Sequence, residues 1–340
     1  MRLLPPKRPT SPKPANRVCS AKATYGASRT WGGVGNGTAP GEGPYPHTAG
    51  ERMNKRTFWG FTVPSVAVML SLMVVPLVAT IWLGFQRLTL RDLQNPEFIG
   101  LQNYRDLLTD PEFWAAARWT ILLVMIVVPI QMLLGLSVAL LLDRVTRGRS
   151  FYMAALLTPF IVTPVVGSLV YKDLFDRGGL LSWLYEVVFD SPFEVTAGNV
   201  RWLIVIQLVW AVTPFAMITF FAGLQTLPGE RVEAAQIDGA GFWRQLWHVT
   251  LPHLRTLILF VALISIMDMY RVYDQVFVWT GNRFTDAHTL AVYNVRTATA
   301  FDIGRVGKGN AMSILTVIGI FVVLIPFLYR SYKDQIEERN

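Results

Sequence analysis

Long apolar runs separated by short polar ones dominate the chain from Phe58 onward. Six runs are long enough to cross about 30 Å of hydrocarbon as helices. They extend from about Phe58 to Phe85, Ala115 to Leu142, Phe151 to Leu174, Trp202 to Leu224, Leu254 to Trp279 and Ala311 to Tyr329. Pro76, Pro129, Pro164 and Pro214 fall inside them. Proline is tolerated in membrane helices where neighbours satisfy the backbone groups it frees. The pattern predicts an all-α integral membrane protein of about six transmembrane helices, several of them bent.

The second half of the chain has one long polar interruption, residues 226–252. Pro228-Gly229 closes the fourth run, and Glu230, Arg231, Val232, Glu233, Ala234 and Ala235 favour helix. Acids in the first turn complement the helix dipole. Val232, Ala235, Ile237 and Ala240 offer a thin apolar face, and Gly239 and Gly241 permit a tight bend. A second short helical stretch, Phe242 to Val249, carries Phe242, Trp243, Leu246 and Trp247 and leads into Thr250-Leu251-Pro252. Such pieces lie in the membrane interface or fill a groove on a partner, and periodicity alone leaves both open.

Composition agrees with the pattern. Only 16% of the 340 residues are charged, against about 25% in soluble domains. Most of the net charge of +8 belongs to the start of the chain: residues 1–52 hold eight Lys/Arg against Glu42 and Glu51, a net +6. This tail is rich in Pro, Gly, Ser and Thr, and its composition predicts a disordered, solvated extension. An arm touching anionic lipid or nucleic acid is the other reading of such a tail. It has no apolar core of a cleavable signal, and Met53-Asn54-Lys55-Arg56 is an alternative natural beginning. Residues 53–340 then form the membrane domain. Cys19, the single cysteine, has no internal disulfide partner.

Lys/Arg placement sets the orientation. Arg144, Arg147 and Arg149 crowd the short loop between the second and third runs; Lys55 and Arg56 precede the first run, and Arg330, Lys333 and Arg339 follow the sixth. The alternate loops are longer and richer in acid. Both termini and residues 226–252 are therefore expected in the cytoplasm. No Gly-x-x-x-x-Gly-Lys-Ser/Thr motif occurs. Gly304-Arg305-Val306-Gly307-Lys308-Gly309 imitates a phosphate loop with the wrong spacing, on the outer side. His47, His248, His253 and His288 are scattered, without metal spacing. The expectation is a non-enzyme with no cofactor, no metal and no nucleic-acid partner.

Glu233-Ala234-Ala235, then Gly239, Val249 and Leu251-Pro252, resembles the cytoplasmic signature of permease subunits of binding-protein-dependent ABC importers. Asp238-Gly239-Ala240 fits the carbohydrate branch. Phe98-Ile99-Gly100-Leu101-Gln102-Asn103-Tyr104, Asp110-Pro111-Glu112-Phe113-Trp114 and Val278-Trp279-Thr280-Gly281 are similar to the maltose and glycerol-phosphate type permeases. The resemblance covers residues 58–332 and implies the type I importer permease fold. It implies that Glu233, Ala234, Ala235, Asp238, Gly239, Leu251 and Pro252 form a coupling element in a cleft of a separate ATPase, with Glu233 as its polar contact and Gly239 as its turn. It implies an ATPase dimer, a second similar permease and an external binding protein as partners, membrane lipid as surroundings, and a sugar, oligosaccharide or polyol as substrate.

The fifth run carries Ser265, Asp268, Met269 and Val272 on one helical face, with Arg271 and Asp274 nearby. Ionisable residues within a span usually face a bundle interior or a cavity. Asp268 is either a hydrogen-bond acceptor for substrate hydroxyls or half of a structural pair with Arg271; Arg271–Asp274 is the other possible pair. Similarity to the maltose-type permease maps substrate-pathway positions onto Ser265, Asp268, Met269 and Val272, and onto the region of Leu208, Val209 and Phe215, near Trp210 and Pro214. Here the residue types depart from that permease, whose amides become Asp268, Met269 and Val272. The alternatives are an ion-coupled secondary transporter using Asp268, Arg271 and Asp274, disfavoured because no internal repeat is visible, and a glycerol-phosphate importer.

Overall fold

The computed structural model describes residues 55–281, 283–299 and 304–337. The basic tail with Cys19 lies outside the described residues, as do Arg339 and the side chains of Lys55, Arg56, Arg330 and Lys333. The chain divides into units 1–61 and 62–340; of the first, only the opening turns of α1 are described.

Helix α1 spans Lys55–Gly84. A hairpin follows, β1 Gln86–Thr89 against β2 Asp92–Phe98, antiparallel. Short α2, Gln102–Leu108, leads to α3, Pro111–Arg144. Asp110 caps α3 by accepting from Glu112 N–H at 3.0 Å, and Pro111 occupies the first turn, where its missing N–H costs nothing. Next come α4 Arg149–Ile161, α5 Pro164–Phe175, α6 Leu180–Phe189 and α7 Val200–Gln225. Then follow α8 Gly229–Ile237, α9 Phe242–Gln245, a π turn Leu246–Thr250, α10 Leu251–Tyr270 and α11 Asp274–Thr280. After a 3-10 turn at Thr285–Ala287, α12 Leu290–Thr299 and α13 Val306–Glu337 complete the described chain.

Among the described residues, five helical stretches are long and apolar enough to cross a membrane, or six if one bent pair counts as a single span. That pair corrects the third expected span. Val162 and Thr163 are extended (ψ 132° and 140°), and the helices on either side meet at 97°. Pro164 is the cause, because its ring disfavours α geometry at the residue before it. The fifth expected span is also shorter than its apolar run. Its helix stops at Tyr270, and residues 274–280 form a separate helix. The described chain is helical as expected, apart from the two-stranded hairpin between α1 and α2.

Helices α3 and α7 form the centre, with α10 packed against both. Leu123, Val127, Ile204, Leu208 and Leu254 are fully buried there. Lipid tails are as apolar as leucine, so close packing rather than water exclusion holds such helices together. Gly135 permits that approach: a Cβ on it would stand 2.6 Å from Ala216 Cβ and 2.9 Å from Met217 N. By contrast, an 18-residue apolar window of α1 buries none of its residues in this chain.

Candidate functional site

Residues 226–252 fold as two short helices around a sharp turn, and the turn explains the spacing of their residues. Helix α8 ends in paired backbone bonds, from Ala240 N to Ala235 O (2.9 Å) and from Gly239 N to Gln236 O (3.0 Å). This is the Schellman arrangement, which needs a left-handed residue just past the helix end. Gly239 supplies it at φ +73°. Asp238 is the C-cap, and Gly241, at φ −68° and ψ 170°, is the N-cap of α9. The Gln245 amide then donates to Ala240 O at 2.6 Å, fastening the second helix to the turn.

Glu233, Ala234, Asp238, Gly239 and Pro252 are exposed, and Ala235 and Leu251 are half-buried. Val232 and Ala240 are half-buried as well, but Ile237 is 86% exposed and does not belong to the expected apolar face. Five residues carry it about 140° around the helix from Val232. Leu246 is buried, while Trp243 and Trp247, one turn apart, are exposed. The Arg144 guanidinium sits 4.7 Å from the centre of the Phe242 ring, and Gln225 donates to Asp143 Oδ1 at 2.7 Å. Residues 226–252 and the basic connection after α3 are thus at the same end of the bundle. Uninterrupted helix links α9, through the π turn, to α10.

The substrate-pathway residues are only partly brought together. Ser265 and Met269 are buried on α10, and Ser265 Oγ accepts from Gln131 Nε2 at 2.8 Å. Val272 is buried too, but it lies beyond the end of α10, so the expected four-residue helical face stops at Met269. Asp268 is the accessible member, half-exposed and paired with Arg271 at 2.9 Å. Asp274 opens α11 instead of continuing the same helix. Trp210 is 41% exposed, its ring 5.7 Å from Tyr171, and half-buried Phe215 stacks on Phe160 at 6.2 Å.

Three polar features escaped sequence reasoning. Gln131 and Gln207 are buried amides in the middle of α3 and α7. Gln207 links α5 and α11 by donating to Ser168 Oγ and accepting from Trp279 Nε1. A polar residue inside a long apolar run was the available signal. At the far end, Asp110 Oδ2 accepts from Tyr293 (2.6 Å) and Lys308 (3.1 Å), while Glu112 pairs with Arg296. Burial alone would raise the pKa of Asp110; the hydrogen bonds from Tyr293, Lys308 and Glu112 N–H and the Lys308 charge outweigh it and hold the carboxyl below its ordinary range. Burial and the neighbouring Asp110 push the Tyr293 phenol upward. Lys308, from the phosphate-loop imitation, therefore faces an internal carboxylate. A cleft of about 850 Å³ opens near this end, walled by Phe175, Phe193, Trp279 and Phe284 with Lys172 and Arg177.

Residues 57–339 match the family described as binding-protein-dependent transport system inner membrane component. The chain is 32% identical over 294 residues to a probable ABC transporter permease protein, y4oQ, of Sinorhizobium fredii, covering 85% of this chain and 94% of that protein. It is 30% identical over 272 residues to the trehalose/maltose transport system permease protein MalF of Thermococcus litoralis, covering 78% and 90%. It is also 30% identical to the trehalose transport system permease protein SugA of Mycobacterium tuberculosis, covering 84% and 91%. In fold it is similar to a bacterial ABC transporter involved in import of the acidic polysaccharide alginate, with TM-score 0.72 at 16% identity, over 81% of this chain and 95% of that one.

Proposed function

The chain belongs to the family of inner-membrane components of binding-protein-dependent transport systems, and from that premise we propose that it is one of two similar permease subunits of an ATP-driven sugar importer. An extracytoplasmic binding protein delivers substrate, and a separate ATPase dimer supplies the energy. The chain itself carries no catalysis. Both termini and residues 226–252 lie in the cytoplasm, where the ATPase is. Residues 53–340 are the membrane domain, preceded by the basic segment 1–52.

The observation that carries the coupling role is the turn at Gly239. An exposed helix bearing Glu233 is joined, through that turn and unbroken helix, to the base of α10. Such a joint passes rigid-body motion of a docked partner into the bundle. Glu233 is the polar contact, Ala234, Ala235 and Asp238 line the docking face, and Leu251-Pro252 begins the moving span.

Carbohydrate as the substrate class is supported by the trehalose and maltose relatives and by the aromatic cleft, whose ring faces suit the apolar faces of sugars. Trp210, Phe215 and Asp268 present accessible atoms to a passing polyol. Ser265, Met269 and Val272 act from behind, fixing the helix that carries Asp268. The test is reconstitution of the chain with its cognate permease, ATPase and binding protein in proteoliposomes. ATP-dependent uptake of labelled disaccharide, lost in Glu233→Lys with assembly intact, is expected. Uptake that persists without the ATPase on a proton gradient overturns the proposal.

A further inference from the structure

The cleft where α7 begins, at the end of the bundle opposite residues 226–252, is built like a small-molecule site. Its volume of about 850 Å³ falls within the usual range for such sites, about 300–1,000 Å³. Phe175 at the close of α5, Phe193 in the connection before α7 and Phe284 after α11 line it, all three half-buried. Packing thus holds each ring while part of its surface stays open. Buried Trp279 forms the rear wall, fixed by donating its indole N–H to Gln207 Oε1. The Arg177–Glu194 ion pair ties the segment carrying Phe193 to the end of α5. The rings do not stop at the cleft. Phe193 lies 5.6 Å from Phe175, Phe175 lies 5.5 Å from Tyr171, and Tyr171 lies 5.7 Å from Trp210. Tyr171 and Phe175 are one turn apart on α5, about 6 Å along its axis. The series therefore leads from the cleft to the accessible ring of Trp210 on α7.

We propose that this cleft is a saccharide-binding subsite of the permease itself, which seats a pyranose ring on Phe175 and Phe193 before Tyr171 leads it to Trp210. The apolar C–H face of the sugar lies on the aromatic rings. Its hydroxyls, each both donor and acceptor, meet a rim of both kinds: Lys172 and Arg177 donate, Asp176 and Glu194 accept. A rim of mixed sign suits a neutral polar ring better than a free anion, and its charges exclude an acyl chain. The proposal rests on the carbohydrate reading and sharpens it in two ways. Capture by the permease begins outside Trp210, Phe215 and Asp268, and the ligand is a cyclic sugar rather than an open-chain polyol, because stacking requires a ring face.

The test uses the purified full chain in phosphatidylcholine nanodiscs, prepared without glycoside detergents, which would occupy the cleft. The probes are maltose, trehalose and mannitol, read by ligand-observed saturation-transfer NMR, which detects weak binding. The two disaccharides should bind and mannitol, which has hydroxyls but no ring face, should not. Phe175→Ala and Phe193→Ala should each weaken disaccharide binding by roughly two- to tenfold, the worth of one aromatic contact. Phe175→Tyr and Phe193→Tyr should keep it and guard against a folding artefact. Absence of disaccharide binding, mannitol binding as well as maltose, or less than a twofold change in both alanine variants overturns the proposal. Uptake by the reconstituted transporter, measured separately, tells the two readings apart. ATP-driven sugar uptake without binding to the chain alone removes this subsite and leaves the importer standing. Ring-dependent binding without any ATP-driven uptake removes the importer and leaves the subsite.

Discussion

Replacing Gly239 by alanine should uncouple ATP hydrolysis from transport, and its magnitude follows from the turn. At φ +73° a residue with a Cβ is strained by about 1–2 kcal/mol. A Cβ at Gly239 would meet nothing within 4 Å, so no clash adds to that cost. The reduced freedom of the unfolded chain returns about 0.4–1 kcal/mol. The net cost is about 1 kcal/mol, roughly a fivefold loss of the formed turn. Asparagine tolerates the left-handed region better and should cost less. Gly241 is the internal control: it too has open space, but its backbone is extended, so Gly241→Ala should be silent. The assay is substrate moved per ATP hydrolysed by the reconstituted transporter. The expected order is wild type and Gly241→Ala, then Gly239→Asn, then Gly239→Ala, several-fold reduced. Wild-type coupling in Gly239→Ala, or equal damage from Gly241→Ala, refutes the reasoning.

Three further outcomes are expected of the detergent-solubilised chain. Gly135→Ala drives a Cβ into the α7 backbone and should destabilise by about 1–3 kcal/mol, whereas Gly223→Ala meets only the movable ends of Leu257 and Leu254 and should cost less; thermal unfolding of the two variants distinguishes them. Lys308→Met leaves partly buried Asp110 with neutral donors only and should cost about 1–3 kcal/mol, part of which Asp110→Asn in the same chain should restore in a double-mutant cycle. Burial pushes the His288 imidazole below its ordinary pKa, so the folded state resists protonation. Its contribution is complete above about pH 6.5 and declines as pH falls below that value. Asp110 has the opposite relation to its ordinary pKa: its contribution is complete above about pH 3.9 and is lost as pH falls through its lowered folded value. Unfolding temperature between pH 8 and pH 5 should therefore drop in the wild type and drop less in His288→Asn; an equal drop contradicts the His288 assignment.

The long helices were legible because length and hydropathy are properties of each run alone. Expected ends at Ala115 and Leu142 lie within a few residues of observed α3, Pro111–Arg144. Hydropathy is blind to local backbone choice, and so the third run looked continuous although Pro164 forces Thr163 out of the helix. Gly239 was legible for the converse reason: few residues except glycine adopt its conformation cheaply, so the sequence position marks the geometry. The Asp110–Lys308 pair joins residues 198 apart and leaves no local trace. The helical face through Val272 failed because a periodicity argument assumes the helix continues, and α10 ends at Tyr270. Gln131 and Gln207 are polar residues inside long apolar runs, and a single buried amide leaves hydropathy almost unchanged.

The unbroken helix from Phe242 to Tyr270 also sets an azimuth. Each residue in it turns the chain by about 100° and advances it about 1.5 Å. Deleting one residue between Gly241 and Pro252 would therefore swing the whole of α8 to a different side of the bundle, with every side chain in the turn intact. An insertion of seven would nearly restore the direction, drifting by about 20°, but would displace α8 by about 10 Å along the axis. Chain length between Gly239 and Pro252 is thus a phase setting. It fixes the compass bearing of Glu233 as firmly as any contact that the side chain makes.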